Sequence, residues 1–245
     1  MKGSKSMRCL ALITARAGSV RLPKKNLMSF NGRPLIEWTV KAAHGVGDMV
    51  SRFVVSTDCI ETAKVCQALG CDVPFMRPAD LSSSSANSLD VVRHCIHHLE
   101  TVDGDNPYDW ILLLQPTSPL RTSEDILAAL KIAQHEDVTS VIGVCEVVDS
   151  HPQKLKTISG NRLKSYVGQT FQQVRSQDLS PTVYRTNGAI YLTRRDIIME
   201  RQEFYGEQPA PLIMPPDRSI DIDTEFDFYM ASQIMARKFE GKPTC

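Results

Sequence analysis

An α/β fold, with a mostly parallel sheet flanked by helices, is what this sequence predicts, and three observations carry it. Short runs rich in Leu, Ile and Val alternate with amphipathic stretches along roughly the first 150 residues. One run, Trp110–Leu114, has no polar break at all, as in a strand covered on both faces. Strand–helix alternation of this kind needs crossover connections, which place helices on both faces of a parallel sheet. Ligands on such sheets sit outside the carboxyl ends of the strands.

The elements follow in order. Arg8–Thr14 is a buried strand, and Pro34–His44 a helix opened by proline in its first turn. Arg52–Ser56 is a second strand, followed by a helix over Cys59–Leu69 that Gly70 stops. Cys71–Met76 is a short third strand that Pro74 pushes towards a sheet edge. After the polar loop Ser82–Asn87, a helix from Ser88 to Val102 carries Leu89, Val92, Cys95, Ile96 and Leu99 on one stripe. Trp110–Leu114, a helix over Ser123–His135 capped by Ser123, and a strand over Thr139–Val148 continue the pattern. It breaks near Ser150. Residues 150–185 have few apolar runs and a hairpin-like turn at Ser159-Gly160-Asn161, so they read as an inserted lobe. Order returns at Gly188–Thr193 and closes with a helix from Thr224 to Lys238.

Composition narrows the function classes. The 245 residues include 28 Lys and Arg and 28 Asp and Glu, a net charge of zero that disfavours general nucleic-acid binding. With 42% hydrophobic and 23% charged residues the chain is globular, long enough for one large domain. No apolar run approaches the roughly 20 residues that span a bilayer. The basic start, Met1–Arg8, precedes too short an apolar stretch for a signal peptide. Seven scattered cysteines read as reduced, buried thiols of a cytosolic protein.

Three segments could carry chemistry. Ala15–Asn26 follows the first strand and holds Arg16, Arg21, Lys24 and Lys25 around Gly18. Backbone N–H groups and cations at such a place suit a polyphosphate, although charge alone equally allows a solvated basic loop. Neither a Walker nor a dinucleotide glycine pattern is present. Leu113–Arg121 ends a buried strand in Gln115 and stiffens the next turn with Pro116 and Pro119, which suits reading a base or ribose, or is an ordinary strand–helix turn. In Ser219–Asp227 an extended chain would place Asp221 and Asp223 on one face for a hard cation, while Thr224 and Asp227 form a capping-box-like pair. Both roles can coexist. His94, Cys95, His97 and His98 crowd one helix, but no second ligand cluster supports zinc, and G-x-S-x-G is absent.

Taken jointly these segments resemble the acylneuraminate cytidylyltransferases, the CMP-sialic acid synthetases. The family's A-R-x-x-S-x-x-x-P-x-K-N loop is met by Ala15, Arg16, Ser19, Pro23, Lys25 and Asn26, and Leu-Leu-Gln-Pro-Thr-Ser-Pro-Leu-Arg by residues 113–121. Tyr184–Tyr191, Asp221–Glu225, Val55–Asp58 and Arg77–Leu81 also match, so the resemblance runs in order along nearly the whole chain. Two departures stand out: Val20 sits where close relatives carry lysine, with Arg21 as its substitute, and Arg175 and Arg185 are spaced more widely than in some sialic acid enzymes.

The resemblance implies a Rossmann-like nucleotidyltransferase, one domain over 7–240 with 150–185 as a dimerisation and substrate arm. It implies transfer of CMP from CTP to the anomeric hydroxyl of a nonulosonic sugar acid, with Mg²⁺, in a cytoplasmic homodimer. Arg16, Arg21, Lys25, Asn26, Ser88 and Gln115 would take the nucleotide, with Arg16, Lys25 and Asp223 catalytic. Arg175, Gln177, Tyr184 and Arg185 would face the sugar acid, and Asp221 and Asp223 the metal. The general base is left open between Asp223 and hydroxide on the metal. Two alternatives stay open: a sugar-1-phosphate nucleotidyltransferase using another NTP, and a non-catalytic nucleotide-binding protein.

Overall fold

The computed structural model describes residues 7–19, 21–83, 85–104, 106–168 and 175–239; the Met1–Ser6 start, Val20, Cys245 and residues 169–174 of the expected arm lie outside them. The chain runs β1 (Cys9–Ala15), β2 (Ser29–Phe30), β3 (Arg33–Pro34), α1 (Leu35–His44), β4 (Arg52–Thr57) and α2 (Ile60–Ala68). Then come α3 (Ser88–Val102), β5 (Trp110–Leu114), α4 (Ser123–Ile132), β6 (Ser140–Glu146), β7 (Lys156–Ser159) and β8 (Arg162–Ser165). β9 (Tyr184–Arg194), β10 (Pro209–Ile213) and α5 (Glu225–Phe239) complete it.

Six strands form one sheet in the order β10-β6-β9-β5-β1-β4, with β1 parallel to β4 and β5, and β10 parallel to β6. β9 alone among them runs antiparallel, between β5 and β6. The strand period of two explains the double coverage. Cys9, Ala11, Ile13 and Ala15 of β1 face one way, with Leu112 and Leu114 of β5, against α1 and α4. Leu10 and Leu12 face the other way, with Ile111 and Leu113, against Val92, Ile96 and Leu99 of α3. A third cluster of Leu22, Phe30, Leu35, Leu120, Ile222 and Ala231 sits behind the first loop and clamps it to the Asp221–Asp223 segment.

Several expected boundaries move. Cys71–Met76 makes only two isolated parallel bridges to β4, Val54 with Asp72 and Thr57 with Met76, because Pro74 between them has no N–H to offer a ladder. The cap of α4 is Thr122, not Ser123: Thr122 and Asp125 exchange bonds in a capping box, and the helix ends at Ile132. β9 starts at Tyr184, ahead of the expected Gly188, because antiparallel pairing with β6 continues to Glu146. The proline-bearing β10 was not expected; it is an edge strand, where proline is tolerated. β7 and β8 form the hairpin of residues 156–165, turning at Gly160 with φ +57°, and stand apart from the main sheet. All six described cysteines are unpaired, five of them buried.

Candidate active site at the carboxyl ends of the strands

The loop after β1 is held by bonds at both ends. The Ala17 N–H donates to Asp58 Oδ1 at 2.8 Å, and Asn26 Nδ2 donates to the Arg16 carbonyl at 3.1 Å, folding the loop back on itself. Arg16 Nη1 reaches the Ser83 carbonyl at 2.8 Å, bridging to the segment before α3. Lys24 takes a left-handed φ of 54°, and a short 3₁₀ turn over Lys25–Leu27 follows. Lys25 Nζ donates to the Ile222 carbonyl at 2.6 Å and lies 3.4 Å from Asp223 Oδ1, while Arg21 lies 3.5 Å from Asp223 Oδ2.

These groups open onto one cavity of about 660 Å³. Arg16, Arg21, Lys25 and Asn26 line it from the first loop, Ser88 from the start of α3, Gln115 from the end of β5, and Asp221 and Asp223 from the segment before α5. Every residue assigned to the nucleotide and the metal is therefore in one place. Ser88 is aimed there because Asn87 caps α3, its Oδ1 accepting from the Leu89 N–H at 3.0 Å. The alternation expected around Ile222 holds: Ile222 is fully buried while its two acidic neighbours line the cavity.

Arg77 also lines the cavity, and no role was assigned to it from sequence. Its N–H bonds the Thr57 carbonyl at 2.8 Å, its Nε donates to Ser56 Oγ at 3.0 Å, and Nη2 to the Ser56 carbonyl at 2.5 Å. It is 6% exposed, and burial pushes its pKa down. The available signal was its place in the matched Arg77–Leu81 stretch.

Asp221 is the electrostatic focus. Burial and the neighbouring Asp223 push its carboxyl pKa up, against the pull of Lys25 and Arg185. Its Oδ1 is buried with no hydrogen-bond partner among the described residues. No group of three or more His, Cys, Asp or Glu among the described residues could enclose a metal. Two carboxylates that leave other positions to phosphate and water do suit Mg²⁺, and the orphaned oxygen fits a ligand role. Capping coexists with this arrangement: the Thr224 N–H donates to Asp227 Oδ2 at 2.8 Å and the Asp227 N–H to Thr224 Oγ1 at 3.2 Å. The histidines lie elsewhere, with His94 and His98 packed on Phe75.

The residues expected at the sugar acid are not gathered in the same way. Arg185 is close, its Nη2 donating to the Ser219 carbonyl at 2.8 Å. Tyr184 is exposed at the start of β9, and Arg175 and Gln177 are exposed at the 3₁₀ turn Ser176–Asp178; none of the four lines the cavity.

Residues 10–233 match the cytidylyltransferase family, a span that contains the whole cavity. The chain belongs to that family. Among cytidylyltransferase relatives, it is 34% identical over 232 residues to the CMP-N,N'-diacetyllegionaminic acid synthase of Legionella pneumophila, covering 94% of this chain and 97% of the other. It is 33% identical over 224 residues to the N-acylneuraminate cytidylyltransferase of Streptococcus agalactiae serotype V, covering 91% of this chain but only 52% of that relative. The fold is shared with a CMP:2-keto-3-deoxy-manno-octonic acid synthetase solved with CTP, at a TM-score of 0.69 and 18% identity, covering 94% of this chain and 99% of that one.

Proposed function

We propose that this cytidylyltransferase transfers CMP from CTP to the anomeric hydroxyl of a nonulosonic, sialic-acid-like sugar acid, releasing pyrophosphate, with Mg²⁺ as cofactor. The observation that carries the reading is the cavity itself, where Arg16, Arg21, Lys25 and Arg77 face Asp221 and Asp223. The names of the Legionella and Streptococcus relatives support the sugar class.

In the reaction the anomeric oxygen bonds the α-phosphorus as the bond from that phosphorus to the bridging oxygen breaks. Pyrophosphate leaves with the electron pair, and the hydroxyl proton is lost. Charge grows on phosphate oxygens, so preorganised cations supply the catalysis without a covalent intermediate. Lys25, held against the Ile222 carbonyl, presents its ammonium to those oxygens. The Arg77 guanidinium bonds Ser56 rather than a carboxylate, so its charge is left for the ligand. The Gln115 amide offers a donor and an acceptor to the nucleoside. Asp221 and Asp223 would hold Mg²⁺, which when bound supplies Lewis-acid neutralisation of the phosphates.

Arg185 would pair with the sugar carboxylate, with Tyr184, Arg175 and Gln177 completing that side. The same reading makes the protein a homodimer through the 150–185 arm. Ile158 and Leu163 face each other in the hairpin, 77% and 58% exposed, and a lone two-stranded hairpin is marginal in water until something covers it. The free thiols fit a reducing, cytoplasmic setting. No helix among the described residues is long and apolar enough to cross a membrane. The test is a panel of nonulosonic acids with CTP and Mg²⁺, read by CMP-sugar formation. Comparable pyrophosphate release with another NTP would overturn the cytidylyl assignment.

A further inference from the structure

We infer that Asn187 is a positioning residue: its buried amide pins a bulge in β9 that seats Gly188 against Asp221 and Gln115, and ties that bulge to the chain leading into Asp221. The inference rests on the reading of Asp221 as a metal ligand.

The bulge is in the register. Tyr191 pairs with Ile142 and Thr186 with Val144, so Asn187, Gly188, Ala189 and Ile190 stand opposite Gly143 alone. Extra residues of this kind leave the ladder and re-aim the chain. Here they need internal support, and the Asn187 side chain, 1% exposed, provides it. Its Oδ1 accepts from the Ala189 N–H at 3.1 Å, closing the bulge. Its Nδ2 donates to Ser219 Oγ at 3.0 Å and contacts Met214 Sδ at 3.2 Å. The amide occupies the space above Gly143, where a Cβ would stand 2.6 Å from Oδ1.

Two further bonds lock the same unit. Ser118 Oγ donates to the Asn187 carbonyl at 3.3 Å, and Arg121 Nη1 donates to the Ala189 carbonyl at 2.6 Å. The outcome beside two cavity-lining groups is Gly188 at φ +72°, where a Cβ would lie 3.0 Å from Asp221 Oδ2 and 3.2 Å from Gln115 Oε1. Only a glycine brings backbone this close to both groups without strain. Ser219, fully buried, sits two residues before Asp221 and gives its carbonyl to Arg185. One amide therefore couples β9, β6 and the acidic segment. The network fixes the backbone beside Asp221 and leading into it, and so where that carboxylate stands, the part that outer-shell groups play around a ligand.

The test compares CTP affinity by calorimetry in Mg²⁺ and in a chelator, for the unaltered protein, Asn187→Ala and Ser219→Ala. Ser219→Ala, which removes one oxygen, carries the test if Asn187→Ala does not fold. The expected result is that the Mg²⁺-to-chelator affinity ratio falls about tenfold, as for loss of an outer-shell partner, while affinity in chelator is unchanged. A ratio equal to that of the unaltered protein, or equal losses in both conditions, would overturn the positioning role. A ratio of one in the unaltered protein would instead overturn the metal reading beneath it.

Discussion

Lys25 reaches 197 residues along the chain to bond the Ile222 carbonyl, whereas the hairpin of β7 and β8 bonds chiefly to itself. Around the cavity, the first loop and the bulge in β9 are tied to segments far away in sequence: Arg16 to Ser83, Ala17 to Asp58, Asn187 to Ser219. In the arm every residue of β7 is exposed, and Ile158, Leu163 and Tyr166 lie open. The difference teaches that the cavity is preorganised by long-range bonds within one chain, while the described residues leave Ile158, Leu163 and Tyr166 of the arm uncovered. Preorganised charge is what phosphoryl transfer rewards.

The largest effect is expected at the acidic pair. Asp223→Asn should lower Mg²⁺-dependent turnover by orders of magnitude, with the metal-free melting temperature nearly level, because Asp223 is exposed and its pairs with Arg21 and Lys25 contribute little. Preserved turnover would return the segment to helix capping alone. Next, Lys25→Ala should weaken CTP roughly 10–100-fold by calorimetry, the worth of a charge-assisted contact. An unchanged affinity would break the claim that this loop is a preformed phosphate site.

Arg185→Lys should raise KM for the sugar acid about tenfold and leave KM for CTP level, since lysine lacks the guanidinium fork. Equal changes would move Arg185 to the nucleotide side. A pH experiment isolates Asp221. Its folded pKa lies above the usual carboxylate value, so its contribution to stability is complete below that value and is lost as pH rises through the folded pKa. Asp221→Asn should therefore melt above the unaltered protein at neutral pH without metal, and the gap should close on acidification while activity is absent throughout. The smallest effect on folding is expected in the arm. Ile158→Asp should change unfolding free energy by no more than about 0.5 kcal/mol, as at an exposed site, yet abolish dimerisation in sedimentation. A large loss of stability in a monomer would contradict the contrast between the two regions.

The same contrast explains what was legible beforehand. Strand ends could be read because β5 is buried along its whole length and stops at Gln115-Pro116, so pattern and fold agree. The Asp221–Asp223 alternation could be read because Ile222 needs the core. Arg77 stood in a matched stretch, but its bonds to Thr57 and Ser56, which bring a lone arginine to the cavity, are set by the fold and not by local pattern. Nor could β10 be read, whose prolines argue against a strand until an edge is available. The cap of α4 was misplaced by one residue because Thr122 and Ser123 are both good caps, and only Asp125 reaching back to Thr122 decides between them. For the arm, the spacing of Arg175 and Arg185 carried no information on where those side chains end up.

The most direct test of the central claim is CMP-sugar formation from CTP and a nonulosonic acid by the unaltered protein, with and without Mg²⁺. Metal-dependent formation of the CMP-linked sugar with stoichiometric pyrophosphate is the predicted result. CTP binding with no turnover across the nonulosonic panel, or equal turnover with another NTP, would contradict it.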